Sequence, residues 1–573
     1  MAAKESIARA SSIEEKKRGI SMKVRNSLMR AITLACFSSA ALLWALACSP
    51  EERTFETGST SSGSSSSSSG MLVCMPNESL SCYSGPADTQ GVGVCAAGAQ
   101  SCLPDGSGFG PCEGEVLPSA ENCFTEADED CNVNAMDCGS GLWALRAGDA
   151  LIQRGNTVRV GPGGSNILVG GYFDGTLDLG PDVLTSLGQS DVFVSKLDQD
   201  GKVLWSRRFG GASDENLMDL AIDDMGNIYV TGTFQGTVDF GNGPLTSAGS
   251  LDIFLLKLDL AGATLWSKRY GDASSQTSTA LAIDPVGNIL IAGAFYGTLD
   301  MGSGGMATAG STDAFLAKLN PMGMTLWAKS YGDAQAQTIS GLGADSVGNI
   351  RVVGNNLGVV NLGGGDLVSV GGTDIFVAKL DAGGAAHVWS KSFGDLLLQQ
   401  AFPGAWVDAD GNLIFGGRFG GELDVGNGPM KAQGMGDHFF MAKLDTSGKA
   451  VWSRAVVTST SKQSGAVGAD MLGNALLTSY VDGSIEMGMQ SIMTLDDDLL
   501  VMKFDGATGE PMWGRLIGGL QSQWGRGITG DMTGAVIVTG SFENSMDFGV
   551  LGSGSGPLVS QGLSDMFLAK LAP

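Results

Sequence analysis

Histidine is nearly missing from this chain: two in 573 residues, His387 and His438. One falls in a hairpin and the other at the start of a strand, so a shared site between them is not expected. No Ser-His-Asp set, GxSxG, HExxH or phosphate-binding Gly loop occurs. Cysteine is missing from the 435 residues after Cys138, which removes thiol chemistry and cysteine zinc sites from three quarters of the chain. Basic residues are few, 34 against 60 acidic ones, for a net charge of −26. Eight of the basic and three of the acidic residues precede Cys48, which leaves 26 against 57 and a net charge of −31 from there on. Such a field makes nucleic acid and anionic lipid poor partners. Long apolar runs are lacking too, apart from residues 31–47.

Tryptophan, by contrast, is regularly placed. Trp143, Trp205, Trp266, Trp327, Trp389, Trp452 and Trp513 recur at intervals of 62, 61, 61, 62, 63 and 61 residues. Each opens a near-copy of one unit, so residues from about 141 onward form a seven-fold internal repeat. In the third copy LWSKRYGD (265–272), TALAID (279–284), NILIAGAF (288–295) and DAFLAKL (313–319) are short and rich in Val, Ile, Leu and Phe. They read as four strands. Turns of the form Asp284…Gly287-Asn288 separate the second and third runs, and recur at Asp223, Asp345, Asp408 and Asp470.

A four-stranded sheet with two apolar faces cannot bury both alone, whereas seven arranged radially can. The predicted fold class is all-β, a seven-bladed β-propeller. The last copy ends on an Asp565-to-Lys570 strand and has no Trp strand of its own. GLWALRAGD (141–149) supplies one, so the N-terminal strand of the domain is predicted to close the last blade. About 16 residues between the third and fourth runs (296–312 in the third copy) exceed the usual propeller repeat. Long connections over a rigid scaffold are where binding is expected.

With their DxFxxKL, DxxG, Trp and GNxxxxG elements, these units resemble the bacterial SBBP-type β-propeller repeat across residues 141–573. The resemblance implies a fold and no activity, because that family is defined by its repeat.

Three segments precede the repeat. Lys23, Arg25 and Arg30 lead into AITLACFSSAALLWALA (31–47), which together read as a secretory signal over residues 1–47, with Met22 as an alternative start. Seventeen apolar or small residues are short for a spanning helix, and no stop-transfer pattern follows. Ala45-Leu46-Ala47-Cys48 resembles a lipoprotein box, although such boxes more often carry Leu where Ala45 stands. That resemblance implies acylation of Cys48, with Cys36 as a competing site and plain secretion as the alternative. Ser49 resembles the outer-membrane sorting signal of Gram-negative envelopes. The stretch TGSTSSGSSSSSSG (57–70) makes residues 48–70 a flexible tether, roughly 25 Å in mean reach.

Residues 71–140 hold eight cysteines: Cys74, Cys82, Cys95, Cys102, Cys112, Cys123, Cys131 and Cys138. An even count in a short exported segment poor in large apolar residues reads as a module of four disulfides, of unknown pairing. Zinc is disfavoured because the segment has no CxxC and no His. Glu126, Asp128, Glu129 and Asp130 beside Cys131 either offer hard oxygen ligands to calcium or form a solvated acidic loop. Residues 114–132 resemble an acidic motif of bacterial surface proteins to which metal binding is ascribed. No other cofactor is expected.

Two sets of repeated polar residues remain. Ten or eleven residues after each Trp stands an amide: Gln153, Asn216, Gln276, Gln337, Gln399 or Gln400, Gln463 and Gln523. These either tie neighbouring blades together or form a polar funnel at one mouth of the central channel. Asp191, Asp252, Asp313, Asp374, Asp498 and Asp565 precede the fourth run as turn residues would. Lys503-Phe-Asp505-Gly-Ala-Thr508-Gly509…Trp513 resembles the tryptophan motif of quinoprotein propellers, but occurs once and is also an ordinary Asp/Gly hairpin. No residue stands out as catalytic. The expectation is a lipid-anchored envelope or surface protein, monomeric, touching the membrane through lipid alone. Its propeller is read as a non-enzymatic platform for a protein or polysaccharide. The alternatives are a propeller enzyme acting on glycans and a metal-binding surface protein.

Overall fold

The computed structural model describes residues 73–118, 128, 131, 138–432, 436–459, 464–487, 490–494, 496–550 and 556–573. From residue 141 onward the chain forms seven antiparallel four-stranded blades. Blade 3 is typical, with Gln276–Ile283 innermost, then Ile289–Phe295, Asp313–Leu319 and the outer Trp strand Thr325–Tyr331. Closure is as the sequence predicts: Gly141–Ala147 pairs with Asp565–Leu571, Trp143 opposite Lys570, and completes blade 7. Among the described residues, blade 5 alone has a split inner strand, Gln399–Ala401 and Trp406–Val407. Pro403 lies in the gap, and proline cannot donate to a ladder.

The third strands are continuous apolar runs because both of their faces are covered. Asp252–Leu258, Asp313–Leu319 and Asp565–Leu571 are buried at every residue. The cores lie between blades. Val192 and Val194 of blade 1, for example, pack with Leu217, Phe254 and Leu256 of blade 2. A buried side chain of this size contributes roughly 1.5–3 kcal/mol, against about 1 kcal/mol net for a ladder hydrogen bond. Interblade burial therefore does more than the ladders to hold the ring together.

The repeated tryptophans have a polar task as well. The indole N–H of Trp143, Trp266, Trp389 and Trp452 donates to a carbonyl in the outer turn of the following blade, on Gln199, Pro321, Thr446 and Gly506 at 3.0–3.4 Å. Lys318 and Lys443 likewise reach the outer turn of the following blade from the third strand, at Ala382 O and Gly506 O, while pairing with Asp284 and Asp408 of their own blades. In the Asp284 turn, Oδ1 accepts the N–H groups of Val286 and Asn288, and Gly287 takes φ +84°.

The long connections are not loops. Each folds into a two-stranded hairpin, such as Thr298–Asp300 with Gly305–Ala307. Alternate residues of these hairpins, Leu299 and Met301 or Val238 and Phe240, plug the core. The tips reach the start of their own outer strands, where Thr264 Oγ1 donates to Phe240 O and Thr325 Oγ1 to Met301 O. They therefore cover the rim of each blade, which shields an otherwise open strand edge.

Ahead of the propeller, Cys74–Cys102, Cys82–Cys112 and Cys95–Cys131 are disulfides. Cys138 is disulfide-bonded too and packs with Trp513 and Phe548. Cys123 lies outside the described residues.

Candidate functional site

The inner strands of five blades share a one-residue bulge, seen as register shifts at Gly155/Thr157, Leu217/Asp219, Ser278/Ala280, Ile339/Gly341 and Gly525/Gly527. A bulge re-aims the extra side chain. Here it sends Asn156, Met218, Thr279, Ser340 and Arg526 into the central channel. Blade 5 contributes Phe402 and Pro403 instead. Its backbone bridges the neighbouring blades, with Val467 N donating to Pro403 O at 3.0 Å and Gly404 N to Ser340 O at 3.4 Å.

The result is a cup. Above the bulge ring lies a cavity of about 360 Å³, lined also by Thr338, Asn355, Gln400 and Ser464. At Pro403 and Gly404 the channel narrows to a pocket of about 40 Å³, and a second cavity of about 280 Å³ lies beyond. At the narrowing Arg159 pairs with buried Asp219 at 2.7 Å. Burial pushes the Asp219 carboxyl up, while Arg159 and the Leu281 and Leu220 N–H groups act against that rise.

The near-seven-fold symmetry breaks at the mouth. Across the first two strands of successive blades stand Arg154 with Tyr172, Asn216 with Thr233, Thr277 with Ala294, Thr338 with Asn355, and Gln400 with Arg418. Blade 6 presents Tyr480, in edge contact with Trp524 of blade 7. Aromatic and guanidinium groups thus share one sector, blades 5 to 7 and 1, and small polar groups hold the other. Arg154 donates to the Tyr172 hydroxyl at 2.9 Å. Arg418 donates twice to Gln400 Oε1 and pairs with Asp437. Burial, then the charge of Arg154, lowers the pKa of Arg526. No Asp, Glu, His or Cys lines the cup among the described residues, so it can bind and orient but offers no acid–base pair there.

Of the two readings of the repeated amides, the funnel is not what the described residues form. Gln153, Gln276, Gln337 and Gln523 are buried. Gln153 Nε2 donates to Asp149 and to Asp174 O, and its Oε1 accepts from Asp149 N. Gln276 and Gln337 repeat this pattern. In blade 5 the buried amide is Gln399, while Gln400 faces the cup. In blade 2 the buried position belongs to Glu215, one residue before Asn216. Gln463 lies outside the described residues.

The other sites divide similarly. Asp191, Asp252, Asp313, Asp374 and Asp565 each accept a backbone N–H from four residues earlier, a turn function. In blade 5 His438 takes that place, and its Nδ1 accepts from Thr458 N. His387 contacts Ser390 in blade 4, so the histidines do not meet. Asp505 caps its own hairpin through Ala507 and Thr508. Among the described residues no three metal-ligating side chains gather. Asp128 is buried, and Glu126, Glu129, Asp130 and Cys48 lie outside the described residues. Arg526 stands out only when the five described bulges are aligned, where it is the one cation.

No protein-family model matches the chain. The regulatory protein FlaEY of Caulobacter vibrioides is 28% identical over 161 residues, 27% of this chain and 17% of that protein. A WD repeat-containing protein of Acanthamoeba polyphaga mimivirus is 24% identical over 230 residues, 34% of this chain and 16% of its own length. The chain thus spans about a sixth of each relative. Among solved structures, the Neurospora crassa Pan2 WD40 domain aligns at TM-score 0.37 and 11% identity, over 76% of this chain and 96% of that one. The quinohemoprotein alcohol dehydrogenase of Comamonas testosteroni aligns at 0.35 and 11%, over 76% of each.

Proposed function

We propose that this chain is an exported, lipid-anchored envelope protein of the SBBP-repeat type whose propeller is a non-enzymatic binding platform. The observation that carries this reading is the cup: a formed, asymmetric axial cavity with mixed polar and apolar walls, and no Asp, Glu, His or Cys among the described residues that line it. Export is supported by the disulfides of the N-terminal module, which persist in oxidising compartments. The anchor rests on the signal and the lipoprotein-like box ending at Cys48.

Two experiments test the reading. Full-length protein is used to capture ligands from envelope extracts, alongside Thr338→Trp, which fills the cup. Loss of the captured ligand with Thr338→Trp supports binding in the cup; equal capture moves the site to another surface. Turnover of a captured glycan would replace the platform with an enzyme. Cys48→Ser should release the protein from the membrane fraction, and its retention there would refute the lipid anchor.

A further inference from the structure

Acidic residues outnumber basic ones 60 to 34, yet the mouth of the cup gathers guanidinium groups. Arg526 has no ion pair among the described residues, and its Nε is buried without a partner. Arg154 is likewise unpaired with any carboxylate: one nitrogen donates to Tyr172, and its Nε is buried and unpartnered. Their inner strands lie side by side, with Gly527 against Asn156 and Thr157, and there Arg154 disfavours the charge on Arg526. Arg159, one step deeper, shows the contrast, since Asp219 neutralises it at 2.7 Å. Like charges held together in a partly desolvated place are a cost that a bound anion removes. Guanidinium is the group suited to a planar carboxylate.

The rest of the wall narrows the ligand class. Thr338, Ser340 and Gln400 present hydroxyl and amide groups, and Tyr480 stands at the rim. Pro403 and Gly404 narrow the channel to a pocket of about 40 Å³, too small for a sugar ring, so the cup receives the end or branch of a chain and not a threaded one. An extended peptide would need a groove or a free strand edge, and a cup with so narrow a floor offers neither. We propose that the cup binds an acidic sugar unit, its carboxylate between Arg526 and Arg154 and its hydroxyls on Thr338, Ser340 and Gln400. This deepens the platform reading and rests on it.

The test is calorimetric titration of the full chain with a glucuronate-ended oligosaccharide, the same oligosaccharide ending in glucose, and an acidic peptide of equal charge. The uronate probe should bind at least tenfold tighter than either other probe. Arg526→Met should weaken it at least tenfold while raising the melting temperature, because repulsion from Arg154 is relieved. An arginine with a merely structural role would instead lower the melting temperature when replaced. Equal affinity for the glucose-ended probe, preference for the peptide, unchanged binding by Arg526→Met, or no binding of any probe would overturn the proposal. A neutral ligand lost with Thr338→Trp but kept by Arg526→Met would refute the acidic sugar and leave the platform standing. Failure of envelope capture as well would refute both.

Discussion

Trp143 donates its indole N–H to the carbonyl of Gln199 at 3.0 Å, which joins the last blade to the first. The same turn receives Lys570, whose Nζ donates to Gln199 Oε1 at 2.8 Å. The ring is thus closed twice: by the strand Gly141–Ala147 within blade 7, and by polar ties from blade 7 to blade 1. In the other blades these ties join sequence neighbours, whereas here they join the two ends of the propeller.

Trp143 should therefore matter more than its half-buried ring suggests. Trp143→Ala is expected to cost about 3 kcal/mol, from lost packing on Gly201 and the lost hydrogen bond. Trp143→Phe keeps most of the packing and should cost about 1 kcal/mol. Urea unfolding of both variants measures the two parts, and a Trp143→Phe protein as stable as the parent would show that the indole N–H contributes nothing to closure.

Glu215 should make stability fall with rising pH. It occupies the place that glutamine takes at 153, 276, 337 and 399, and burial pushes its carboxyl up from 4.5 to about 8. Asp191 and Asp214 add to the rise, and the Gly211 N–H opposes it. The neighbouring copies aim an amide N–H at a backbone carbonyl, which only a protonated carboxyl can imitate. Below about pH 4.5 both folded and unfolded states hold the proton, and the group's contribution is fully present. Between 4.5 and 8 the folded state alone holds it, so stability declines and is lost through the folded value. Glu215→Gln should remove this slope and stabilise the protein at pH 8 by about 1–2 kcal/mol after allowance for solvent screening. Melting temperatures from pH 5 to 9 provide the check, and parallel curves for the two proteins would refute it.

The fold was legible because its determinants repeat seven times. The Trp period, the Asp/Gly turns and the orphan strand at 141–149 all belong to local patterns that one sequence displays. The site was less so, for a geometric reason. Side chains alternate across a strand, and a shift of one residue exchanges the two faces. An amide ring placed at Asn216 in place of Glu215 is such a shift, and the choice between Gln399 and Gln400 turns on the same one residue. The bulges that aim Asn156 and Arg526 into the channel carry no residue signature, only a change in register. The 16-residue connections read as binding loops by their length alone, whereas the alternation that buries Leu299 and Met301 spans too few residues to mark a strand.

The disulfide module and the propeller should separate under reduction. The Cys95–Cys131 bridge closes 36 residues, which stabilises a fold by about 3–4 kcal/mol through the unfolded state. No cysteine follows Cys138. Dithiothreitol should therefore expose residues 74–138 to proteolysis while the propeller stays resistant. Proteolysis with fragments identified by mass spectrometry reads both, and equal loss of protection in 141–573 would show that the module supports the ring.

Gly404 is where blade 5 closes the cup, and its backbone cannot accept a side chain. Its φ is +108°, and a Cβ there would stand 2.2 Å from Val467 O. The preceding Pro403 has already broken the inner ladder, so the segment is held by its bonds to Ser340 and Val467. Gly404→Ala should cost about 3 kcal/mol, since neither the conformation nor the space suits alanine. Gly384 serves as the control: it lies in an exposed turn, and a Cβ there would have nothing within 4 Å. Its replacement by alanine should change stability by less than about 0.5 kcal/mol. If the floor of the cup shapes the ligand site, Gly404→Ala should also weaken binding at temperatures where the variant remains folded. Full binding by a destabilised Gly404→Ala would mean that the wedge stabilises blade 5 without shaping the site.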